Sequence, residues 1–416
     1  MSARGDLALF EGFGIEIEHA IVDRRTLDVL PVADELLRAA GGGADWVADF
    51  DDGPIGWSNE LVLHTLELKT SGPVPSLAGV AERFRASAAR ANALLAERGA
   101  CLLPGAMHPW MDPVRETRLW PHEYSEVYAA YDRLFDCRRH GWANLQSVHL
   151  NLPFADEREF GRLMPAVRAV LPLIPALAAS SPVADGRATG RLDQRLHVYR
   201  TNSSRSPAMT GEVIPEPIFD VDGYRERVLG PIEVELERLG APDVLRGQEF
   251  TNARGAIARF DRMAIEIRLI DAQECARADL AVVAATSELV RALVEERWAR
   301  AGALRELPSA ALVEQLVLAI DRGPAAPVVE PRLAELLGNA RAAVISPLAS
   351  RRASLPHVLR GRRRRALLLE ERQHVALAAL LIRHALVHPF RPRLAEQVVI
   401  EELVHVDGPV LHVGAV

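Results

Sequence analysis

Four short stretches of the chain alternate apolar and polar residues with a period of two. They are Gly14-Ile15-Glu16-Ile17-Glu18, Leu66-Glu67-Leu68-Lys69, Ser147-Val148-His149-Leu150-Asn151-Leu152 and Ile265-Glu266-Ile267-Arg268. Successive side chains of a strand point to opposite faces, so each stretch predicts a strand with one apolar and one polar side. If the four share a sheet, Ile15, Ile17, Leu66, Leu68, Val148, Leu150, Ile265 and Ile267 pack one face. Glu16, Glu18, Glu67, Lys69, His149, Asn151, Glu266 and Arg268 line the other. Any half-solvated antiparallel strand alternates in this way and carries charge outward. An ordinary outer face would mix Thr, Ser and Gln with both charges, whereas this one has four glutamates, a histidine and two cations. Carboxylates gathered on one face repel one another unless cations sit among them. That is the composition of a hard-metal and phosphate site.

The remaining pattern predicts helices between these strands. A short one over 32–40 ends at Gly41-Gly42-Gly43, and 53–59, with Trp57, reads as loop before a strand over 61–70. Ser76 is a candidate N-cap for an amphipathic helix with Leu77, Val80, Phe84, Ala88, Ala91 and Leu95 on one face, stopped by Gly99. Further helices are expected over 156–170 and 275–300, and the aromatics of 104–142 read as loop packing. Ser180-Ser181-Pro182 and Gly186-Arg187-Ala188-Thr189-Gly190 suit either anion capture by backbone N–H groups or a plain surface turn. Beyond Gly302 the text changes to helical segments, a proline-rich link and seven arginines between Arg351 and Arg365. The arginine cluster reads as a solvated segment rather than a binding patch. Two units follow, a domain over 1–302 and a mostly helical region over 303–416.

Composition narrows the function classes. With 416 residues, 49% of them hydrophobic, the chain can bury a large core, and a net charge of −7 gives no global field for nucleic acid. Cys101, Cys137 and Cys275 form no CxxC pair, the N-terminus lacks a signal-peptide core, and the apolar tract 169–184 is broken by Pro172, Pro175 and Pro182. A cytoplasmic protein with reduced thiols, bound neither to membrane nor to nucleic acid, is expected. Of the 49 basic residues 48 are arginine, and Lys69 is the single lysine. There is therefore no Gly-Lys pair for a P-loop, and the GxSxG, HExxH and HRD patterns are absent too. Nucleotide, if bound, is bound through metals and arginines.

Five motifs then fall in an order that resembles glutamate–cysteine ligase family 2, the glutamine-synthetase-like ATP-dependent carboxylate–amine ligases. The opening G-x-E-x-E strand followed by V-D is matched by Gly14-Ile15-Glu16-Ile17-Glu18 and Val22-Asp23. An acidic residue seven before an E-L-x-T strand is matched by Glu60 and Leu66-Glu67-Leu68-Lys69-Thr70, and a V-H-x-N strand by Val148-His149-Leu150-Asn151. The Ser180-Ser181-Pro182 segment with its later Thr189-Gly190 is the fourth. Arg254 before Ile265-Glu266-Ile267-Arg268-Leu269-Ile270-Asp271 is the fifth. The resemblance covers about residues 10–300 and fades beyond Gly302.

This resemblance implies an α+β fold, an open, curved antiparallel sheet with helices packed on its back. It implies Mg²⁺, or Mn²⁺, and ATP as co-substrate. Glu16, Glu18, Glu60, Glu67, His149 and Glu266 would be metal ligands. Arg268 and Lys69 would neutralise the transferring phosphate, with Arg254, Arg195, Tyr199 and Asn151 as candidates for holding substrate. The implied reaction activates a carboxylate as an acyl phosphate and captures it with an amine, most simply forming a γ-glutamyl amide. The same chemistry on other amino acids or peptides, or a metal- and nucleotide-binding relative without catalysis, are the alternatives. Oligomeric state stays open, a homodimer included.

Overall fold

The structure, a computed structural model, describes residues 7–335. Among the described residues ten strands run in chain order. They are β1 (Gly14–Asp23), β2 (Asp49–Asp52), β3 (Ile55–Asn59), β4 (Thr65–Thr70), β5 (Ala100–Leu103), β6 (Ser147–Pro153), β7 (Val183–Ala184), β8 (Arg187–Ala188), β9 (Ala256–Arg259) and β10 (Ala264–Asp271). Eight form one open antiparallel sheet in the order β2-β3-β4-β1-β6-β10-β9, with β5 pairing the far half of β1. The fold is the expected α+β one.

The apolar edges of the period-two strands build the core. Ile15, Ile17, Leu66, Leu68, Val148, Leu150, Ile265 and Ile267 are all fully buried. Each such side chain contributes about 1.5–3 kcal/mol relative to remaining in water. Helices Ala33–Ala40, Val80–Ala96, Glu157–Val170 and Ala276–Val294 cover this face. Asp156 caps the third of them, its side chain accepting from the Glu159 N–H at 2.8 Å. The span Glu157–Ala178 is the one described stretch long and apolar enough to cross a membrane, and it is mostly buried in this core.

Several local expectations are corrected. Residues 55–59 are strand β3 rather than loop, sandwiched between β2 and β4 with Trp57 fully buried. The next strand begins at Thr65, not at 61. Ser76 is not the cap of its helix. It sits in a preceding turn, accepting from the Ala78 N–H, and the helix starts at Val80 after Gly79 at φ 72°. The region 104–142 contains the helix Ser125–Phe135, and the last long helix stops at Val294. The Ser-Ser-Pro loop resolves to the turn alternative. β7 and β8 make a tight hairpin at Gly186, whose N–H is taken by the Pro109 carbonyl.

Residues beyond 302 share the same core as far as they are described. Leu304, Leu307, Leu312, Leu316 and Ile320 are buried in it, and Arg168 donates to the Leu307 carbonyl and the Ser309 hydroxyl. The arginine cluster at 351–365 and the rest of the expected helical tail lie outside the described residues.

Candidate active site

Antiparallel pairing fixes the site geometry. Glu16 on β1 stands opposite Lys69 on β4 and His149 on β6, Glu18 stands opposite Glu67, and Glu266 on β10 stands opposite Asn151. Side chains on directly paired residues share a face, so one register brings all of these together. All eight polar residues of the four alternating strands line a single cavity of about 1210 Å³, and Glu60 joins them from just past β3.

A β-bulge decides the geometry on β10. Ile267 pairs with Leu150 and Ile270 with Val148, so Arg268 and Leu269 together oppose His149. The extra residue shifts the alternation and turns Asp271 away from the core face that strict alternation would give it. Asp271 instead accepts from the Ser180 N–H and the Ser181 hydroxyl, both at 2.9 Å, and from Arg195 Nε at 2.5 Å. The Ser-Ser-Pro segment and Asp271 are thus one anchor holding Arg195, which is buried and lines the cavity.

The carboxylates are crowded. Ligand atoms of Glu16, His149 and Glu266 lie within 4.8 Å of one another, as do those of Glu18, Glu67 and His149. Burial, and then repulsion by Glu16, pushes the Glu67 carboxyl up to about 7. Burial, followed by Glu67 and Glu18, holds Glu60 well above the usual carboxylate range. Burial alone would lower His149. Its hydrogen bond to Glu16 and the charges of Glu18, Glu16 and Glu266 raise it to about 9 instead. Burial raises Glu266, but Arg268, His149 and Arg259 outweigh it and leave the group at about 2. Oxygen donors with one imidazole, penalised for lacking positive charge, fit a hard divalent cation.

The polar partners of each ligand are specific. Glu18 Oε2 accepts from the Ser147 N–H at 2.6 Å and its hydroxyl at 2.9 Å, and Glu67 Oε1 accepts from Ser58 Oγ at 2.7 Å. Glu16 Oε2 lies 3.0 Å from His149 Nδ1 and its other oxygen accepts from Asn151 Nδ2 at 3.2 Å. The Oδ1 of Asn151 is buried without a partner. Lys69 Nζ is 2.9 Å from Asp49 and 3.4 Å from Glu67. Tyr199 lines the cavity while its hydroxyl donates to the Ala253 carbonyl at 2.8 Å.

Arg254 is the expected site residue that the structure does not bring to the cavity. Its guanidinium forms two 2.6 Å bonds to Glu216 and donates to the Ala208 carbonyl and Asn252 Oδ1. Conversely, sequence reasoning missed Arg259, whose Nη1 sits 3.0 Å from Glu266 Oε2 while its other nitrogens grip Asp261. Arg259 ends the run Ala256-Ile257-Ala258, which does not alternate and hides its polar end. Ser147 was also missed, although its place two before His149 put it on the same face.

Comparison with known proteins gives the family and the fold. The family model for glutamate-cysteine ligase family 2 matches residues 12–352, past the point at 302 where the sequence motifs fade. An uncharacterized protein of Archaeoglobus fulgidus is 35% identical over 328 residues, 79% of this chain and 84% of that one. A Rubrobacter xylanophilus protein named after the family is 29% identical over 193 residues, 45% of this chain and 47% of its own length, so that match spans about half of that relative. In fold, the chain is similar to the crystal structure of the glutamate–cysteine ligase of Francisella tularensis in complex with AMP. The TM-score is 0.53 at 11% identity, with 97% of each chain covered. With the family model spanning most of the sequence, the chain belongs to glutamate–cysteine ligase family 2.

Proposed function

We propose that the protein is an ATP-dependent carboxylate–amine ligase that forms an amide through an acyl phosphate, with γ-glutamyl amide formation as its reaction. The observation that carries this reading is the row Lys69–Glu16–His149 across three neighbouring strands, with Glu18, Glu67 and Glu266 beside it in one cavity. Glu16, His149 and Glu266 would hold one divalent cation, and Glu18, Glu67 and Glu60 a second. Bound Mg²⁺ or Mn²⁺ would supply charge neutralisation for the nucleotide phosphates.

The chain's own residues supply the rest. Arg268, fixed by Glu266, and Arg259 beside it present planar donors to a phosphoryl group whose charge is spread over several oxygens. Lys69 brings a compact charge from the other side of Glu16. Arg195 and Tyr199, locked by Asp271 and Ala253, suit a substrate carboxylate. No protein nucleophile is needed, because positioning and charge neutralisation carry phosphoryl transfer. The residues this reading assigns to catalysis all lie within 1–302. The unpaired Cys101, Cys137 and Cys275 support a reducing, cytoplasmic setting.

An isotope experiment tests the reaction. With ¹⁸O in the substrate carboxylate, acyl-phosphate formation carries one label into the released phosphate. Unlabelled phosphate, or AMP and pyrophosphate as products, would rule the proposal out.

A further inference from the structure

The cavity has a second kind of wall that the alternating strands do not supply. Tyr124, Tyr128 and Tyr131, at the start and along the helix Ser125–Phe135, all line it. The spacing of three puts Tyr128 and Tyr131 on one helix face, and Tyr124 precedes them just before the helix at φ 69°. Trp142 extends the wall, its ring 5.3 Å from that of Tyr131, and Leu61, Val62 and Leu145 also line the cavity. The Tyr128 oxygen accepts a 2.8 Å bond from Asn59 Nδ2, which fixes the ring and leaves its own O–H to donate elsewhere.

This wall sits at one end of the strands. Asn59, Thr65 and Ser147 mark that end, and Gly14, Asn151 and Ala264 mark the other. The other end carries Lys69, Arg259 and Arg262, whereas the aromatic end carries Glu60 and Arg195, the latter ion-paired with Asp271 opposite Ser147. The carboxylates that would hold cations therefore lie between a lobe with three cations and an aromatic lobe whose one arginine is ion-paired with Asp271. A polyanionic nucleotide is drawn more strongly to the first.

We infer that the aromatic lobe is the acceptor subsite and that the acceptor is an amine carrying an aromatic or bulky apolar body. This rests on the ligase reading above. A one-carbon side chain such as that of cysteine would leave the exposed parts of Tyr124, Tyr128, Trp142, Leu61 and Leu145 in contact with water, Tyr131 being already packed in the core. A phenyl or branched aliphatic group would cover them. An amine reaches the site as an ammonium, which aromatic faces and nearby carboxylates attract. It loses one proton to water, and its nitrogen lone pair then forms the C–N bond. The C–O bond to phosphate breaks with its electron pair leaving on phosphate, and the second proton leaves nitrogen with it.

The test uses the full chain with ATP, Mg²⁺ and a panel of donor acids headed by glutamate. Phosphate release is measured with ethylamine, cysteine, phenylalanine and phenethylamine as acceptors. We expect kcat/KM for an aromatic acceptor to exceed that for ethylamine and cysteine by about tenfold or more. Cysteine equal to or better than the aromatic acceptors overturns the inference and leaves the ligase reading intact. Absence of phosphate release with every pair overturns the ligase reading, and the inference falls with it. Tyr124→Ala, at a half-exposed position, and Tyr128→Leu then locate the subsite. With melting temperature unchanged, KM for the aromatic acceptor rises about tenfold while KM for ATP stays constant. A rise confined to ATP would make the lobe a nucleobase site and overturn the inference.

Discussion

Arg268 Nε lies 2.5 Å from Glu266 Oε1, two residues earlier on the same strand, while Arg259 takes the other oxygen of that carboxylate. Glu266 is thus clamped between two guanidiniums, and each guanidinium is held in one orientation by it. Replacing Arg268 by lysine keeps the charge and loses the planar fork. Arg268→Lys should lower kcat by about 100-fold or more, the order of loss for removing a preorganised donor. Steady-state phosphate release measures this, and a variant within a few-fold of wild type would remove Arg268 from the phosphate site.

Glu67→Gln and Glu266→Gln change one atom each and little volume. Glu67 is already pushed up to about 7 by burial and Glu16, so losing its charge should not destabilise the fold. Both variants should lose turnover and the cation-dependent rise in melting temperature that Mg²⁺ or Mn²⁺ gives the wild type. A variant that keeps both properties is not missing a metal ligand.

Arg254 is held by Glu216, a backbone carbonyl and Asn252 rather than by the cavity. Arg254→Met should therefore cost stability, about 1–3 kcal/mol, because the Ala208 carbonyl and Asn252 Oδ1 lose their buried donor. Urea denaturation should report that loss, while the folded fraction keeps its KM for ATP. Normal stability with a raised KM would return Arg254 to the site.

Asp279, at the start of the helix Ala276–Val294, accepts from the Gln273 N–H but has its second oxygen buried without a partner. Burial raises it from 3.8 to about 8. A carboxyl that binds its proton more tightly when folded supports the native state fully below pH 4. That support is lost as pH rises towards 8. Asp279→Asn keeps the acceptor and removes the titration. Thermal melts should show little difference from wild type at pH 4 and a higher melting temperature for the variant at pH 8.

The local facts of this protein were legible in its sequence. Alternation fixes which side chains share a face, because backbone geometry turns every second residue the same way. That is why Glu16, Glu18, Glu67, Lys69, His149, Asn151, Glu266 and Arg268 could be assigned together and are together in the cavity. The same reasoning gave the buried isoleucine and leucine face.

Three-dimensional pairing decided the rest. Strand β3 reads as loop because Gly56, Ser58 and Asn59 gain strand character only between β2 and β4. The bulge opposite His149 is a property of two paired strands, so the face of Asp271 was invisible in one. Arg254 found Glu216 38 residues away instead of a substrate, and Arg259 found Glu266 across a turn. The tyrosine wall is helical in its spacing, yet only the packing of that helix against Asn59 brings it to the site. Sequence periodicity sets which face a side chain takes, and long-range packing sets what that face meets.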